Sequence, residues 1–142
     1  MQARRGELVD VLAGPGLVAV AGGRSAGLAT WSAADESTSG LGEGVELRAL
    51  VVSPQARGRG IARRLLEATH DRLRAEGHRR LWVVTTNDNL AALALYQKLG
   101  YRLSVLRSGA VEELRRTIKP SITETGADGI PIRDELELTR DL

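Results

Sequence analysis

One stretch of this 142-residue sequence decides its fold: Val51-Val52-Ser53-Pro54-Gln55-Ala56-Arg57-Gly58-Arg59-Gly60-Ile61-Ala62-Arg63-Arg64. It begins at the end of an apolar segment, residues 45–52, which has the length and β-branched content of a buried strand. It passes through a turn rich in glycine and arginine and opens directly into a segment with the apolar spacing of a helix. The stretch therefore predicts a strand, a tight turn and a helix in immediate succession.

Four arginines crowd the predicted N-terminal end of this helix: Arg57, Arg59, Arg63 and Arg64. Cations at this place oppose the helix dipole, which favours anions near the N-terminus by about 0.3–1 kcal/mol each. Glycines in the turn let main-chain N–H groups approach a ligand closely. Together, the arginines and glycines predict a site for a polyanion of the phosphate kind.

The segments around this stretch predict the rest of one sheet. The helix is predicted over about residues 59–76 with Gly77 as its C-terminal cap. Its inward positions are Ile61, Leu65, Leu66, Thr69 and Leu73. Upstream, the apolar runs 17–21 and 26–31 flank Gly22-Gly23-Arg24-Ser25, which predicts a hairpin, and residues 32–44 are typical of a polar loop.

Downstream, strands and helices alternate. A buried strand is predicted over residues 81–86, and any residue of Asn87-Asp88-Asn89 could cap the helix that follows over residues 90–99. Further elements are predicted as a strand over 101–106, a helix over 110–119 and a final strand over 135–139. This order predicts an α/β (α+β) fold with a central mixed sheet flanked by helices, without internal repeats.

Composition narrows the class of protein. A length of 142 residues suits a single domain, residues 1–142, and 42% apolar with 27% charged residues is typical of a soluble globular protein. A net charge of only +2 predicts no nucleic-acid partner. The absence of cysteine excludes disulfides and thiolate catalysis. His70 and His78 are interpreted as surface histidines, and no metal site is predicted.

No segment predicts a membrane span or a signal peptide, because every apolar run, including residues 17–21, is far too short. The sequence therefore predicts no membrane partner and a cytoplasmic location.

The turn departs from two common phosphate-binding patterns. No Gly-Lys-Ser/Thr follows the glycines, as a P-loop requires, and the third glycine of a dinucleotide fingerprint is missing after Gly58-Arg59-Gly60. The spacing Arg57-x-x-Gly60-x-Ala62, after a strand and opening a helix, instead resembles that of the GNAT superfamily of acyl-CoA-dependent N-acyltransferases.

A second block supports the resemblance. It runs Asn89-Leu90-Ala91-Ala92-Leu93-Ala94-Leu95-Tyr96-Gln97-Lys98-Leu99-Gly100-Tyr101 and is similar to the later signature of that family. Each motif alone is moderately specific, but the two stand in the right order with a predicted strand between them. The resemblance covers roughly residues 17–106 and implies a single GNAT-like domain.

The resemblance also implies how acetyl-CoA, as co-substrate, is bound. It lies where the strands over residues 45–52 and 81–86 splay apart. The main chain of Leu50, Val51 and Val52 holds the pantetheine arm. The pyrophosphate is held by the turn, from Gly58 to Ala62, and by arginine side chains. The residues implied are Arg57, Gly58, Arg59, Gly60, Ile61, Ala62 and Arg63, with Asn89 and Tyr96 from the second block.

Two catalytic roles follow from the resemblance. Glu46 falls where the family often carries its general base, and Tyr96 is the candidate general acid that protonates the leaving sulfur. Structural interpretations stay open beside both: Glu46 as a solvated strand glutamate that pairs with Arg48, and Tyr96 as a core aromatic. Asn89 is by default a helix cap, with cofactor contact as an addition.

The implied function is N-acetyl transfer from acetyl-CoA to a small-molecule or peptide amine by direct attack, without metal or covalent intermediate. Two alternatives stay open: a non-catalytic acyl-CoA-binding module and a nucleotide-phosphate binder. Family members usually carry strand and helices before the hairpin, whereas only residues 1–16 precede Leu17 here. This shortened N-terminal region leaves an open acceptor site, or one covered by the C-terminal segment or by a second subunit of a homodimer. A mis-set start codon is a further explanation that stays open. As a hypothesis, Arg133, Asp134 or Glu135 lines the acceptor side.

Overall fold

A computed structural model describes residues 1–33, 38–39 and 42–142. The strands, in chain order, are β1 Gln2–Arg4, β2 Glu7–Val9, β3 Gly16–Ala21, β4 Arg24–Trp31, β5 Thr38–Ser39, β6 Gly42–Glu43, β7 Val45–Val52, β8 Arg80–Thr86, β9 Arg102–Arg107 and β10 Glu135–Asp141. The α-helices are α1 Ile61–Ala75, α2 Leu90–Lys98 and α3 Ala110–Thr117. The predicted polar loop over residues 32–44 lies partly outside the described residues; its described part contains β5 and β6.

The chain forms two compact units, which are named here by their main features. The turn unit comprises Val11–Trp82 and Arg140–Leu142 and contains the glycine–arginine turn. The strap unit comprises Met1–Asp10 and Val83–Thr139 and contains the segment of residues 119–134, the strap. Strand order in the turn unit is β3-β4-β7-β8, and in the strap unit it is β8-β10-β9. Strands flanked by helices confirm the predicted α/β fold with a mixed sheet. The prediction of a single domain stays a prediction.

The turn unit follows the sequence pattern closely. β3, β4 and β7 pair in an antiparallel manner, and the β3–β4 turn uses Gly22 and Gly23 at φ angles of 59° and 76°. These left-handed angles suit glycine and match the twist of a two-residue hairpin. The buried positions of α1 are Leu65, Leu66, Thr69, His70 and Leu73. At its end, His78 N–H donates to Leu73 C=O and Gly77 adopts φ 89°, which confirms the predicted glycine cap.

One histidine prediction is wrong. His70 is buried on the inner face of α1, one turn from both Leu66 and Leu73, rather than at the surface. Burial, with smaller contributions from the positive charges of Arg140 and Arg74, lowers the pKa of His70 to about 4. The imidazole is therefore neutral at physiological pH.

The strap unit contains features that the sequence pattern did not predict. β1 and β2 form a short antiparallel hairpin in the N-terminal segment. β9 and β10 are antiparallel with a bulge between Glu137 and Leu138. Because a bulge changes which face a side chain occupies, both of these neighbouring side chains are fully buried.

No helix in the described part of the chain is both long and apolar enough to cross a membrane.

Candidate functional site

The turn after β7 has a main-chain conformation that requires glycine. A short 3₁₀ turn over Pro54–Ala56 follows the strand, and Arg57 returns to an extended conformation. Gly58 and Gly60 then adopt φ angles of 77° and 75°, which side chains rarely tolerate. A Cβ atom added at either glycine would meet no atom within 4 Å. The glycines are therefore needed for conformation, and they leave the space beside the turn open.

The N-terminus of α1 is not capped by a side chain. Gly60 is the N-cap and provides no side-chain hydrogen bond, and the first turn of the helix contains no acidic residue. The first N–H groups of a helix require acceptors from outside the helix. An uncapped N-terminus in an open turn is suited to receive an anion.

The arginines surround this N-terminus as exposed side chains. Arg57, Arg59, Arg63 and Arg64 all face solvent. Arg57 Nε donates to the C=O of Val52 at 3.4 Å, which holds this side chain beside the end of β7. Arg63 Nε pairs with Glu67 Oε1 at 2.9 Å across one helical turn. The positive charge predicted from the sequence is thus concentrated around the turn.

The end of β7 is fixed by β4. Leu50, Val51 and Val52 lie opposite Ala29, Leu28 and Gly27, respectively. Ser53 N–H donates to Ala26 C=O at 2.8 Å, so the pairing continues to the first residue of the turn. Pairing with β4 therefore fixes the position at which the turn begins.

Glu46 lies on the same strand and is buried, with only 5% of its surface exposed. Its main-chain N–H donates to Ser32 Oγ at 3.0 Å, and its C=O accepts from Ser32 N–H at 2.9 Å. The interpretation of Glu46 as a solvated strand glutamate is therefore wrong. A carboxyl group withdrawn from water suits a proton-transfer role as well as a structural one.

Asn89 and Tyr96 belong to the strap unit, on α2. Asn89 is the N-cap of α2, and its Oδ1 accepts from Ala92 N–H at 3.2 Å, as predicted. Tyr96 is 6% exposed, and its ring lies 5.2 Å from the ring of Tyr101, tilted by 53°. Burial raises the pKa of the Tyr96 phenol to about 12, so the phenol keeps its proton over the whole physiological range.

Two residues before Asn89 have a function that sequence patterns missed. These residues, Asn87 and Asp88, hold the strap, the segment of residues 119–134, in place. Asn87 Oδ1 accepts from Arg133 N–H and Asp134 N–H at 2.9 and 3.0 Å, and its Nδ2 donates to Pro131 C=O at 2.8 Å. Asp88 is buried, and its Oδ2 accepts from Ala127 N–H at 3.2 Å.

The strap is also held from α3 and by itself. The Arg115 guanidinium donates to the carbonyl groups of Ile122, Thr123 and Ile132 at 2.8–3.0 Å. Within the strap, Gly126 N–H donates to Ile130 C=O and Ile132 N–H donates to Glu124 C=O, both at 2.9 Å. The strap is therefore a closed hairpin that is anchored to the end of β8, rather than an open loop.

Of the three residues predicted on the acceptor side, Glu135 does not face an open surface, because it is 1% exposed. Its carboxylate accepts from Arg107 Nε at 3.1 Å and from Arg5 N–H at 2.9 Å. Arg107 also pairs with the fully buried Glu137 at 3.0 Å. Asp134 Oδ1 accepts from Gly109 N–H at 2.8 Å at the start of α3, and Arg133 is exposed.

The sequence-predicted site residues thus fall into two groups. Glu46, Leu50–Val52 and the turn lie together in the turn unit, whereas Asn89 and Tyr96 share one helix of the strap unit.

Comparison with known proteins gives a consistent result. Residues 5–101 match the model of the acetyltransferase (GNAT) family. The chain is 45% identical over 84 residues to the uncharacterized protein YxbD of Bacillus subtilis, which covers 59% of this chain and 52% of that protein. The chain spans only about half the length of the curated relatives it matches.

Solved structures agree with the family match. An IAA acetyltransferase from Bacillus cereus superimposes with a TM-score of 0.72 at 27% identity and covers 89% of this chain and 78% of that one. A GNAT family acetyltransferase from Elizabethkingia anophelis with acetyl-CoA bound gives a TM-score of 0.72 at 22% identity. That match covers 88% of this chain and 74% of that chain, and at this identity it shows the fold alone.

Proposed function

The chain belongs to the GNAT acetyltransferase family, and on that premise we propose that it transfers an acetyl group from acetyl-CoA to a primary amine. The observation that carries the proposal is the uncapped N-terminus of α1 inside an open, arginine-lined turn. Such a terminus favours the pyrophosphate of a coenzyme, since main-chain N–H groups and positive side chains converge there.

The co-substrate fits the residues that are present. We assign the pyrophosphate to the N–H groups from Gly58 to Ala62, with charge balance from Arg57, Arg59 and Arg63. The main chain of Leu50, Val51 and Val52 binds the pantetheine arm, and Asn89 adds a contact from the cap of α2. Acetyl-CoA supplies the acetyl group in activated form, as a thioester.

Glu46 is the proposed general base. An acceptor amine with a pKa near 10 is mostly protonated at pH 7 and cannot attack a carbonyl carbon until it loses a proton. The carboxylate of Glu46 takes this proton, directly or through a water molecule, while the nitrogen–carbon bond forms. Burial of Glu46 supports the role, because a base withdrawn from water is a better proton acceptor.

Tyr96 is the proposed proton donor to the sulfur as the carbon–sulfur bond breaks. A phenol with a pKa of about 12 is a weak acid beside a thiol, whose ordinary pKa is about 8.5. In water, transfer of a proton from the phenol to the thiolate is unfavourable. Burial makes this transfer feasible, because it disfavours the charged thiolate as well as the charged phenolate. Tyr96 therefore acts best as a hydrogen-bond donor that completes its transfer late, once the sulfur carries most of its negative charge.

We further propose that the strap forms a wall of the acceptor site. It is anchored at the carboxyl end of β8 and beside the N-terminus of α2, and ligands of α/β sheets bind at the carboxyl ends of strands. Its closed hairpin gives a defined surface for a small-molecule or peptide amine. The cytoplasmic location of the reaction stays a prediction.

Release of CoA with a panel of amines tests the proposal. Acetyl-CoA should be consumed only with an accepted amine, and Glu46→Gln should lower kcat most at low pH, where few amine molecules are neutral. Glu46→Asp serves as the matched control, since it retains a carboxylate. An unaltered pH profile in Glu46→Gln would make Glu46 structural.

The alternative is a non-catalytic acyl-CoA-binding module, which would use the same open turn and the same N-terminus of α1. In that case acetyl-CoA raises the Tm of the chain, but no amine releases CoA. A nucleotide-phosphate binder, the other alternative, would instead be stabilised by ATP in competition with acetyl-CoA.

A further inference from the structure

One aromatic residue outside the assigned site, Tyr101, contacts the proposed proton donor. Tyr96 and Tyr101 are the two tyrosines of the chain, and both are buried, at 6% and 3% exposed. Their ring centroids lie 5.2 Å apart, and the ring planes are tilted by 53°. Aromatic rings favour tilted arrangements with centroids about 4.5–7 Å apart. The two rings therefore form a favourable pair inside the strap unit.

The end of α2 fixes this pair through the main chain. Tyr101 N–H donates to Tyr96 C=O at 2.9 Å, and Gly100 N–H donates to Gln97 C=O at 3.1 Å. Gly100 adopts a left-handed conformation, with φ 89°. These two hydrogen bonds and the left-handed glycine form a Schellman cap, in which the residue after the glycine returns beside the last turn of the helix. The cap therefore brings the side chain of Tyr101 against that of Tyr96.

Packing, rather than a hydrogen bond, holds the Tyr96 ring in place. Tyr96 is the one residue of α2 that is buried, so its neighbours on the helix do little to enclose it. Within the described part of the chain, no group accepts a hydrogen bond from its hydroxyl, and its ring contact is with Tyr101. A side chain that is held by packing alone keeps its orientation only while the adjacent space is filled.

The protonation of Tyr96 depends on the same enclosure. Burial raises the pKa of its phenol to about 12, and no charged group of the described residues contributes to this shift. Burial raises the pKa of a phenol because water is withdrawn from its charged form. A ring that keeps water away from the phenol therefore also keeps the phenol protonated.

We propose that Tyr101 is a positioning residue for Tyr96, whose ring it holds in one orientation and protects from water. This inference rests on the proposed role of Tyr96 as proton donor to the sulfur. A donor must be aimed at the atom that receives the proton, so a ring that can tilt would transfer its proton more slowly while acetyl-CoA still binds. The positioning depends on the ring of Tyr101 and not on its hydroxyl.

Tyrosinate absorbance tests the positioning without any measurement of activity. Tyr101→Phe and Tyr101→Leu each leave Tyr96 as the single tyrosine, so the ionised fraction belongs to that phenol. At pH 11, a phenol with a pKa near 12 is about one-tenth ionised, which we expect in Tyr101→Phe. In Tyr101→Leu we expect more than about half, because water reaches the phenol.

The two variants are matched, because leucine retains the apolar contact of the cap and loses only the ring. Circular dichroism at pH 11 verifies that each variant is folded, and Tyr101→Met replaces the leucine variant if that one is not. Leu114→Ala in the Tyr101→Phe chain is the control for general loss of stability. Leu114 is also 3% exposed, on α3, and its loss should leave the ionised fraction of Tyr96 unchanged.

A double-mutant cycle tests whether Tyr101 acts through Tyr96. Tyr101→Leu should lower kcat at least about tenfold with the KM of acetyl-CoA unchanged, and Tyr101→Phe should keep kcat within about twofold of the wild-type value. In the Tyr96→Phe chain, Tyr101→Leu should have little further effect, since the phenol that it positions is already absent. A purely structural residue would lower kcat by the same factor in both chains.

Equal ionised fractions in Tyr101→Phe and Tyr101→Leu overturn the inference. An undiminished effect of Tyr101→Leu on kcat in the Tyr96→Phe chain overturns it as well. Failure of the proposed function gives a different result: no amine releases CoA, or Tyr96→Phe leaves kcat unchanged. The titration then still decides whether Tyr101 holds the phenol.

Discussion

Replacement of Asn87 by alanine is the sharpest test of the strap. The side chain makes three hydrogen bonds of 2.8–3.0 Å to the main chain of the strap. A typical hydrogen bond contributes about 0.5–1.5 kcal/mol, and Asn87 is partly exposed, so values in the lower half of that range apply. Asn87→Ala should therefore weaken docking of the strap by about 2 kcal/mol, roughly a 30-fold change in the opening equilibrium.

Hydrogen exchange measures this loss directly. The amides of Arg133 and Asp134, which donate to Asn87, should exchange about 30-fold faster in Asn87→Ala. Asn87→Asp retains both acceptor bonds and loses only the donor to Pro131, so a loss of about 1 kcal/mol is expected. Asn89→Ala is the matched control, because it removes the cap of α2 and leaves the strap bonds intact.

The same variants separate docking of the strap from its function. If the strap is a wall of the acceptor site, Asn87→Ala should raise the KM of the acceptor several-fold, with the KM of acetyl-CoA unchanged. If the amides of Arg133 and Asp134 exchange at wild-type rates in Asn87→Ala, the hydrogen bonds of Asn87 do not hold the strap. Faster exchange with an unchanged acceptor KM would refute its place in the acceptor site.

Three further predictions concern proton transfer and buried charge. Tyr96→Phe should lower kcat at least about tenfold with little change in the KM of acetyl-CoA, and an unchanged kcat with a good acceptor would remove its role. His70 binds its proton only below about pH 4 in the folded state but near pH 6.5 when unfolded. About 3 kcal/mol of stability should therefore be lost as the pH falls from 6.5 to 4, and urea unfolding of His70→Gln should not show this dependence. Arg107→Met removes the guanidinium that pairs with the buried carboxylates of Glu135 and Glu137 and should lower the free energy of unfolding by about 3–5 kcal/mol. Arg102→Met, on an exposed side chain of the same strand, should change it by less than about 0.5 kcal/mol.

Elements that are specified by residues close to them in the sequence could be predicted from the sequence alone. The strand over Val45–Val52, the glycine turn and α1 follow one another in the chain, and each is specified by residues within a few positions of itself. The cap at Asn89 is similar, because its partner, Ala92, is three residues away. Such features are predictable because their interactions are short in sequence.

Features that depend on distant partners were not predictable. Asn87 has the composition of a helix cap, and its actual partners lie 44–47 residues further along the chain. Glu135 and Glu137 have the pattern of an exposed strand face, but the bulge in β10 and the pairing with Arg107 bury both. The polarity of His70 predicts a surface residue, but its position on the inner face of α1 buries it.

The strap has a further property that concerns its evolution. Asn87, Asp88 and Arg115 hold it through main-chain N–H and C=O groups, and none of these hydrogen bonds involves a side chain of the strap. Substitutions along most of the strap therefore leave its anchoring bonds in place. Two positions are exceptions: the carboxylate of Asp134 accepts from Gly109 N–H, and any side chain at Gly126 would collide with the carboxylate of Asp88. Substitutions can thus change the surface of the strap while its main-chain anchoring stays constant. The strap is therefore a suitable segment for directed evolution.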